Sequence, residues 1–173
     1  MENYRYDNRT QDQFIQDIKK GTARERLAIS LFKNYLRREF GFTGVIKENG
    51  CDMSGAFIED GRKVSTEADY LVGEAQLPLE VKTSAGHIIN IHIKAKQLDS
   101  YIRQGASILY VNGIEQNVPA FTLWTVEELK HMREILPTVI PPRNINGGKL
   151  SYRINALDYH WRTFGGDVKR YVF

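Results

Sequence analysis

One run of eight residues, Leu77 to Ser84 (LPLEVKTS), constrains this chain more than any other. Apolar residues surround two charges in it, and the run reads as a β-strand. Side chains two apart in a strand point to one face, so Glu80 and Lys82 set a carboxylate beside an ammonium. Asp69 lies eleven residues upstream of Glu80, in the strand-like run EADYLVG. Two acids able to share a divalent cation, with a lysine beside them, are what metal-assisted phosphodiester hydrolysis requires. The competing reading is an exposed Glu–Lys pair on an outer face, worth under about 1 kcal/mol.

The 173 residues fit one domain around a single core. Apolar residues make up 42% and charged residues 26%, which places the chain among soluble globular proteins and excludes a disordered one. No apolar run approaches the roughly 18 residues of a membrane span. The polar start, MENYRYDNRTQDQ, lacks the apolar centre of a signal peptide. Cys51 is the single cysteine, so neither an intrachain disulfide nor a cysteine-only metal site is available. A cytoplasmic, intracellular location with no membrane partner is therefore expected.

The net charge of +3 is unevenly spread. From His131 to Phe173 seven Lys or Arg stand against three acids, so the last quarter carries all the excess. Such a segment either follows a phosphate backbone or is a solvated basic surface.

Along the chain, residues 1–21 read as an N-terminal arm or short helix, ended by Gly21. Thr22 to Glu39 reads as an amphipathic helix, with Leu27, Ala28, Leu31, Phe32, Tyr35 and Leu36 at three- and four-residue spacing and Gly41 as its stop. Strands are expected at Val45–Lys47, Ala56–Ile58, Ala68–Val72 and Leu77–Thr83, with a turn at Asp60-Gly61. Ile89, Ile91 and Ile93 alternate with Asn90, His92 and Lys94 as in a half-buried strand. KAKQLDSYIRQG reads as a helix stopped by Gly105, followed by strands at Ser107–Val111 and Phe121–Trp124. Thr125 and Glu128 match a capping box. Pro141-Pro142 and Gly147-Gly148 bracket a loop, Leu150–Ile154 reads as a last strand and Asn155–Phe164 as a last helix. The expected class is α/β, a central mixed β-sheet flanked by helices.

Helix, strands bearing Asp and Glu-x-Lys, then helix and strand: over roughly Thr22 to Asn112 this order resembles the PD-(D/E)XK nuclease superfamily, which includes restriction enzymes, Holliday-junction resolvases and RecB-type exonucleases. The matching residues are Asp69, Glu80 and Lys82, with Ala68 where the family name has proline. The resemblance implies a restriction-endonuclease-like αβββαβ core over residues 22–135 and a basic C-terminal extension, 136–173, packed on the same domain. It implies Mg²⁺ or Mn²⁺ held by Asp69, Glu80 and the backbone carbonyl of Val81. Lys82 would then orient the attacking water or stabilise the developing charge.

Other candidates carry two readings each. Glu25 falls on the inward stripe of the first helix, where many families of this fold place a glutamate near the metal; equally, Thr22-Ala-Arg-Glu25 is a capping box. Gln97 and Tyr101 lie four apart on one helix face and resemble the Gln-x-x-x-Tyr element of RecB-type nucleases, or form an ordinary helix with Tyr101 packed. Lys94, Lys96, Arg143, Lys149 and Arg153 are candidate phosphate contacts, or solvated charges. His87 and His92, five apart, cannot share one strand face and are expected on the surface. Asp52, Glu59 and Asp60 are substitutes for Asp69 if the strand placement slips. No Walker loop and no Gly-x-Ser-x-Gly elbow is present.

The expected function is a metal-dependent DNA endonuclease, resolvase-like or site-specific, with an exonuclease third and a homodimer supplying a second active site. The alternative from another class is a catalytically inactive nucleic-acid-binding or assembly module of the same fold.

Overall fold

The computed structural model describes residues 10–49 and 67–165. The expected strand at Ala56–Ile58, the Asp60-Gly61 turn, Cys51 and the acids Asp52, Glu59 and Asp60 lie outside the described residues.

Helix α1 spans Gln11–Phe40. Thr10 caps it, accepting from the Gln13 amide while the Gln13 side chain takes the Thr10 amide, and Gly41 ends it in the left-handed region at φ 63°. The helix therefore starts eleven residues before Thr22 and runs straight through Gly21, which corrects the expected arm and break. An interior glycine costs only about 1 kcal/mol against alanine, and a helix of 30 residues absorbs it. Mid-helix, the amides near Thr22 face intrahelical carbonyls, so Thr22-Ala-Arg-Glu25 is not a capping box and the Glu25 carboxylate is released for other work.

Strands β1 (Ile46–Glu48), β2 (Tyr70–Val72) and β3 (Leu77–Thr83) follow, each antiparallel to the next. Strand β4 (Asn90–Lys94) leads without a linker into α2 (Ala95–Gln104), capped by Gly105 in the left-handed region. Then come β5 (Ser107–Asn112), β6 (Ala120–Trp124) and α3 (Val126–Ile135), whose start is the Thr125/Glu128 capping box. Two-residue β7 (Thr138–Val139), β8 (Ser151–Asn155) and β9 (Arg162–Thr163) complete the order. The expected last helix is not formed. A 3₁₀ turn occupies Ala156–Asp158 and Arg162–Thr163 joins the edge of the main sheet. The Trp161 indole instead donates to the Ala156 carbonyl at 2.6 Å.

The main sheet has the order β1-β2-β3-β5-β6-β9, and β3 and β5 pair in parallel. Parallel neighbours need a crossover, and β4 with α2 supplies it. A second, three-stranded sheet has the order β4-β8-β7. Strand β5 is buried on both faces, which explains its unbroken apolar run. Leu109 and Val111 face α1 together with Leu79, Val81, Ala28, Phe32, Tyr35 and Phe121. Ile108 and Tyr110 face Leu98, Leu129, Met132, Ile91, Ile93 and Ile154. The architecture is thus a mixed sheet with α1 on one side and α2, α3 and the small sheet on the other.

Candidate active site

The antiparallel pairing of β2 with β3 reaches Tyr70 opposite Leu79, so β3 runs on past it through Glu80, Val81 and Lys82. Asp69, the residue just before β2, turns its carboxylate to that stretch, where Oδ2 accepts from the Val81 amide at 3.0 Å. The N–H and C=O of one strand residue face the same edge. The Val81 carbonyl therefore faces the edge where Asp69 stands.

Glu80 and Lys82 share the face of β3 that looks toward α2, as strand alternation requires. Glu80 is only 4% exposed. Its Oε1 takes two donors, the Lys82 ammonium and the Tyr101 hydroxyl, the latter at 2.6 Å. Lys82 Nζ also stands 5.6 Å from the centre of the Tyr101 ring, within cation–π range. With Oε1 pinned from two sides and Asp69 held through Oδ2, each carboxylate has a fixed orientation and a second oxygen. Glu25 comes from α1, one turn before the buried Ala28 and two turns before Phe32, and lies in the fields of Asp69, Lys82 and Glu80.

Electrostatics describe an excess of negative charge. Burial, with Asp69 and Glu80 opposing Lys82, raises the Glu25 carboxyl from 4.5 to about 7. Burial and Glu80 raise Asp69 from 3.8 to about 6, although Lys82 and the Val81 amide pull the other way. Burial works against the Lys82 charge, but Glu80, Tyr101 and Asp69 outweigh it and raise its pKa, so it stays an ammonium. Burial also raises the Tyr101 phenol, which stays a donor. One ammonium, paired with Glu80, stands among the fields of three carboxyls, Asp69, Glu80 and Glu25.

Among the described residues no group of three or more His, Cys, Asp or Glu side chains forms a metal cage. The donor set that fits a cation is Asp69 and Glu80 with the Val81 carbonyl. All are hard oxygens suited to Mg²⁺ or Mn²⁺, which keep several waters and need few protein ligands.

The structure thus brings Asp69, Glu80, Lys82, Glu25 and Tyr101 together. Tyr101, expected as a nucleic-acid contact, donates to Glu80. Gln97, one turn earlier on α2, is half-buried and is not joined to this group by a hydrogen bond among the described residues. Lys94 ends β4 and Lys96 is exposed in the first turn of α2. Arg153 on β8 stands directly opposite His92, and Arg143 and Lys149 are exposed in the loop that leads into β8. These five basic residues, from two separate stretches of the sequence, lie on and beside the small sheet. Neither 81–98 nor 135–157, the stretches that contain β4, β7 and β8, has an acidic residue. His92 is held below its usual pKa by burial and by Arg153. His87 lies outside β4, its ring against Gly113, so the two histidines do not share a site.

Two residues that support Asp69 carry no sequence signal of their own. Gln104 accepts the Ala68 amide at 2.9 Å, and Asn49 donates to the Ala68 carbonyl at 3.0 Å. A proline at position 68 would have no amide to give.

No family model, curated protein or solved structure matches this chain. Among the described residues no helix is long and apolar enough to cross a membrane.

Proposed function

We propose that this protein is a divalent-metal-dependent nuclease of the PD-(D/E)XK type that hydrolyses DNA phosphodiester bonds, most simply as an endonuclease. The observation that carries the reading is the convergence of Asp69, Glu80 and Lys82 at the start of β2, where burial and the neighbouring Glu80 raise the Asp69 carboxyl. The element order supports it: a helix, three antiparallel strands, a crossover helix and a parallel strand follow the order an αβββαβ core would have, if β4 is counted as an insertion before the crossover helix.

A cation held by Asp69, Glu80 and the Val81 carbonyl would supply Lewis-acid activation of water and neutralise charge on the phosphate. The chain's own groups do the rest. Tyr101 and Lys82 fix the Glu80 carboxylate through its Oε1. The Val81 amide fixes Asp69. Lys82, held protonated, offers a positive charge to the pentavalent phosphorane as it forms. Glu25, with a pKa near 7, is placed to exchange a proton with water at neutral pH. The basic residues of the small sheet supply contacts to the DNA backbone. A homodimer would provide the second active site needed for cutting both strands, and light scattering tests it against the 19.9 kDa chain.

The test is cleavage of supercoiled plasmid, single-stranded DNA and a four-way junction with Mg²⁺, Mn²⁺ or EDTA, using wild type, Glu80→Ala and Lys82→Ala. Metal-dependent cutting lost in both variants supports the reading, and the preferred substrate separates resolvase-like, site-specific and exonuclease modes. The second reading is an inactive nucleic-acid-binding module. It is favoured by the way Lys82 and Tyr101 already satisfy Glu80, and intact DNA binding without cutting by any of the three proteins would select it.

A further inference from the structure

Resting on that reading of Asp69, we propose that Gln104 and Asn49 are positioning residues that clamp the backbone on the two sides of Ala68 and so set the Asp69 carboxylate for metal binding. Ala68 is fully buried and stands outside the β2–β3 ladder, so among the described residues neither of its backbone groups has a ladder partner. Buried amides and carbonyls are otherwise paired, and here two side chains from distant segments do the pairing. Gln104, the last residue of α2, takes the Ala68 amide through Oε1 while its own amide donates to Ser100 Oγ at 2.9 Å. Asn49, just after β1, gives Nδ2 to the Ala68 carbonyl, and its backbone amide donates to the Asp69 carbonyl at 2.8 Å. The backbone that leads into Asp69 is thereby held on both sides of Ala68. The Ser100 bond holds the Gln104 side chain in the rotamer that reaches Ala68.

The arrangement also links the two halves of the candidate site. Tyr101, which holds Glu80, and Gln104, which holds the Ala68 amide, are three residues apart on α2. Such neighbours lie on one side of a helix. One rigid element thus fixes both carboxylates relative to each other. Groups that orient metal ligands typically alter metal affinity 10- to 100-fold, roughly, when removed.

The experiment uses the full chain without DNA and Mn²⁺ as the probe. Thermal melts against Mn²⁺ concentration are recorded for wild type, Gln104→Ala, Gln104→Glu and Asn49→Ala, together with hydrogen exchange of the Ala68 amide. In Gln104→Ala the Ala68 amide is expected to lose protection and the Mn²⁺ needed for half the stabilisation to rise about tenfold. Gln104→Glu keeps the acceptor oxygen, so it is expected to restore Ala68 protection and a near-wild-type Mn²⁺ response. Asn49→Ala carries the same test from the other side if Gln104→Ala fails to fold. A wild-type Mn²⁺ response that persists unchanged in Gln104→Ala and Asn49→Ala would overturn the clamp and leave the metal site standing. No response in wild type would overturn the metal site, and the clamp's role with it.

Discussion

Replacing Glu25 by glutamine should make the metal-free protein more stable at alkaline pH, although it removes a residue placed at the candidate active site. Burial beside Asp69 raises the Glu25 carboxyl from 4.5 to about 7. A carboxyl whose folded pKa is raised contributes its full stability below the unfolded value, and that contribution is lost as pH rises through the folded value. The window for Glu25 is therefore pH 4.5 to about 7. At about 1.4 kcal/mol per pH unit the whole move amounts to roughly 3 kcal/mol. Glu25 is only half-buried, and solvent screening reduces this to about 1–2 kcal/mol. For a chain of this size that is a difference of roughly 2–8 °C in Tm. Melts in EDTA from pH 4.5 to 8.5 should show wild type falling relative to Glu25→Gln across the window, with the variant ahead above pH 7.5. Parallel curves would refute the placement of Glu25 among the acids, because an isolated helix-surface glutamate titrates alike folded and unfolded.

Three further outcomes are expected. Tyr101→Phe removes a donor to a nearly buried carboxylate and should destabilise the fold by about 1–3 kcal/mol, read by urea unfolding, while lowering cleavage about tenfold without abolishing it. The Tyr70 hydroxyl is buried without a hydrogen-bond partner among the described residues, so Tyr70→Phe should be neutral or stabilising by up to about 1 kcal/mol, and a clear loss in a thermal melt would mean that the hydroxyl has a partner. Lys149→Ala combined with Arg153→Ala should weaken DNA binding and reduce the slope of log K against log salt by about two if both contact phosphates, while the Mn²⁺-dependent rise in Tm stays at the wild-type value.

The strands were legible where their pattern was strong. LPLEVKT forms β3 over the expected residues, and KAKQLDSYIRQG forms α2 with Gly105 as its cap. The placement of Glu80 and Lys82 on one face needed only the period of two. What local pattern could not supply was tertiary in origin. Gly21 looked like a break because a glycine weakens a helix, yet the Thr10 cap and the packing of Ala28, Phe32 and Tyr35 carry α1 across it. Asn155–Phe164 has helix-compatible residues, but Thr163 and Arg162 pair with Ala120 and Phe121 across the sheet. The same limit hid Gln104 and Asn49. Each is one polar residue at the end of an element, and only the fold shows that both converge on Ala68. It also assigned Tyr101 to DNA, although the residue four positions on from Gln97 points at Glu80.

The candidate site is assembled from α1, the start of β2, β3 and α2, none of which holds all of its residues. Glu25, Asp69 and Glu80 all precede α2 in the chain, and α2 completes the site by docking on the sheet. Until that docking, the crossover is unmade, Glu80 lacks Tyr101 and the Ala68 amide lacks Gln104. The arrangement of both carboxylates therefore depends on the docking of α2, without which the acids lack the groups that orient them.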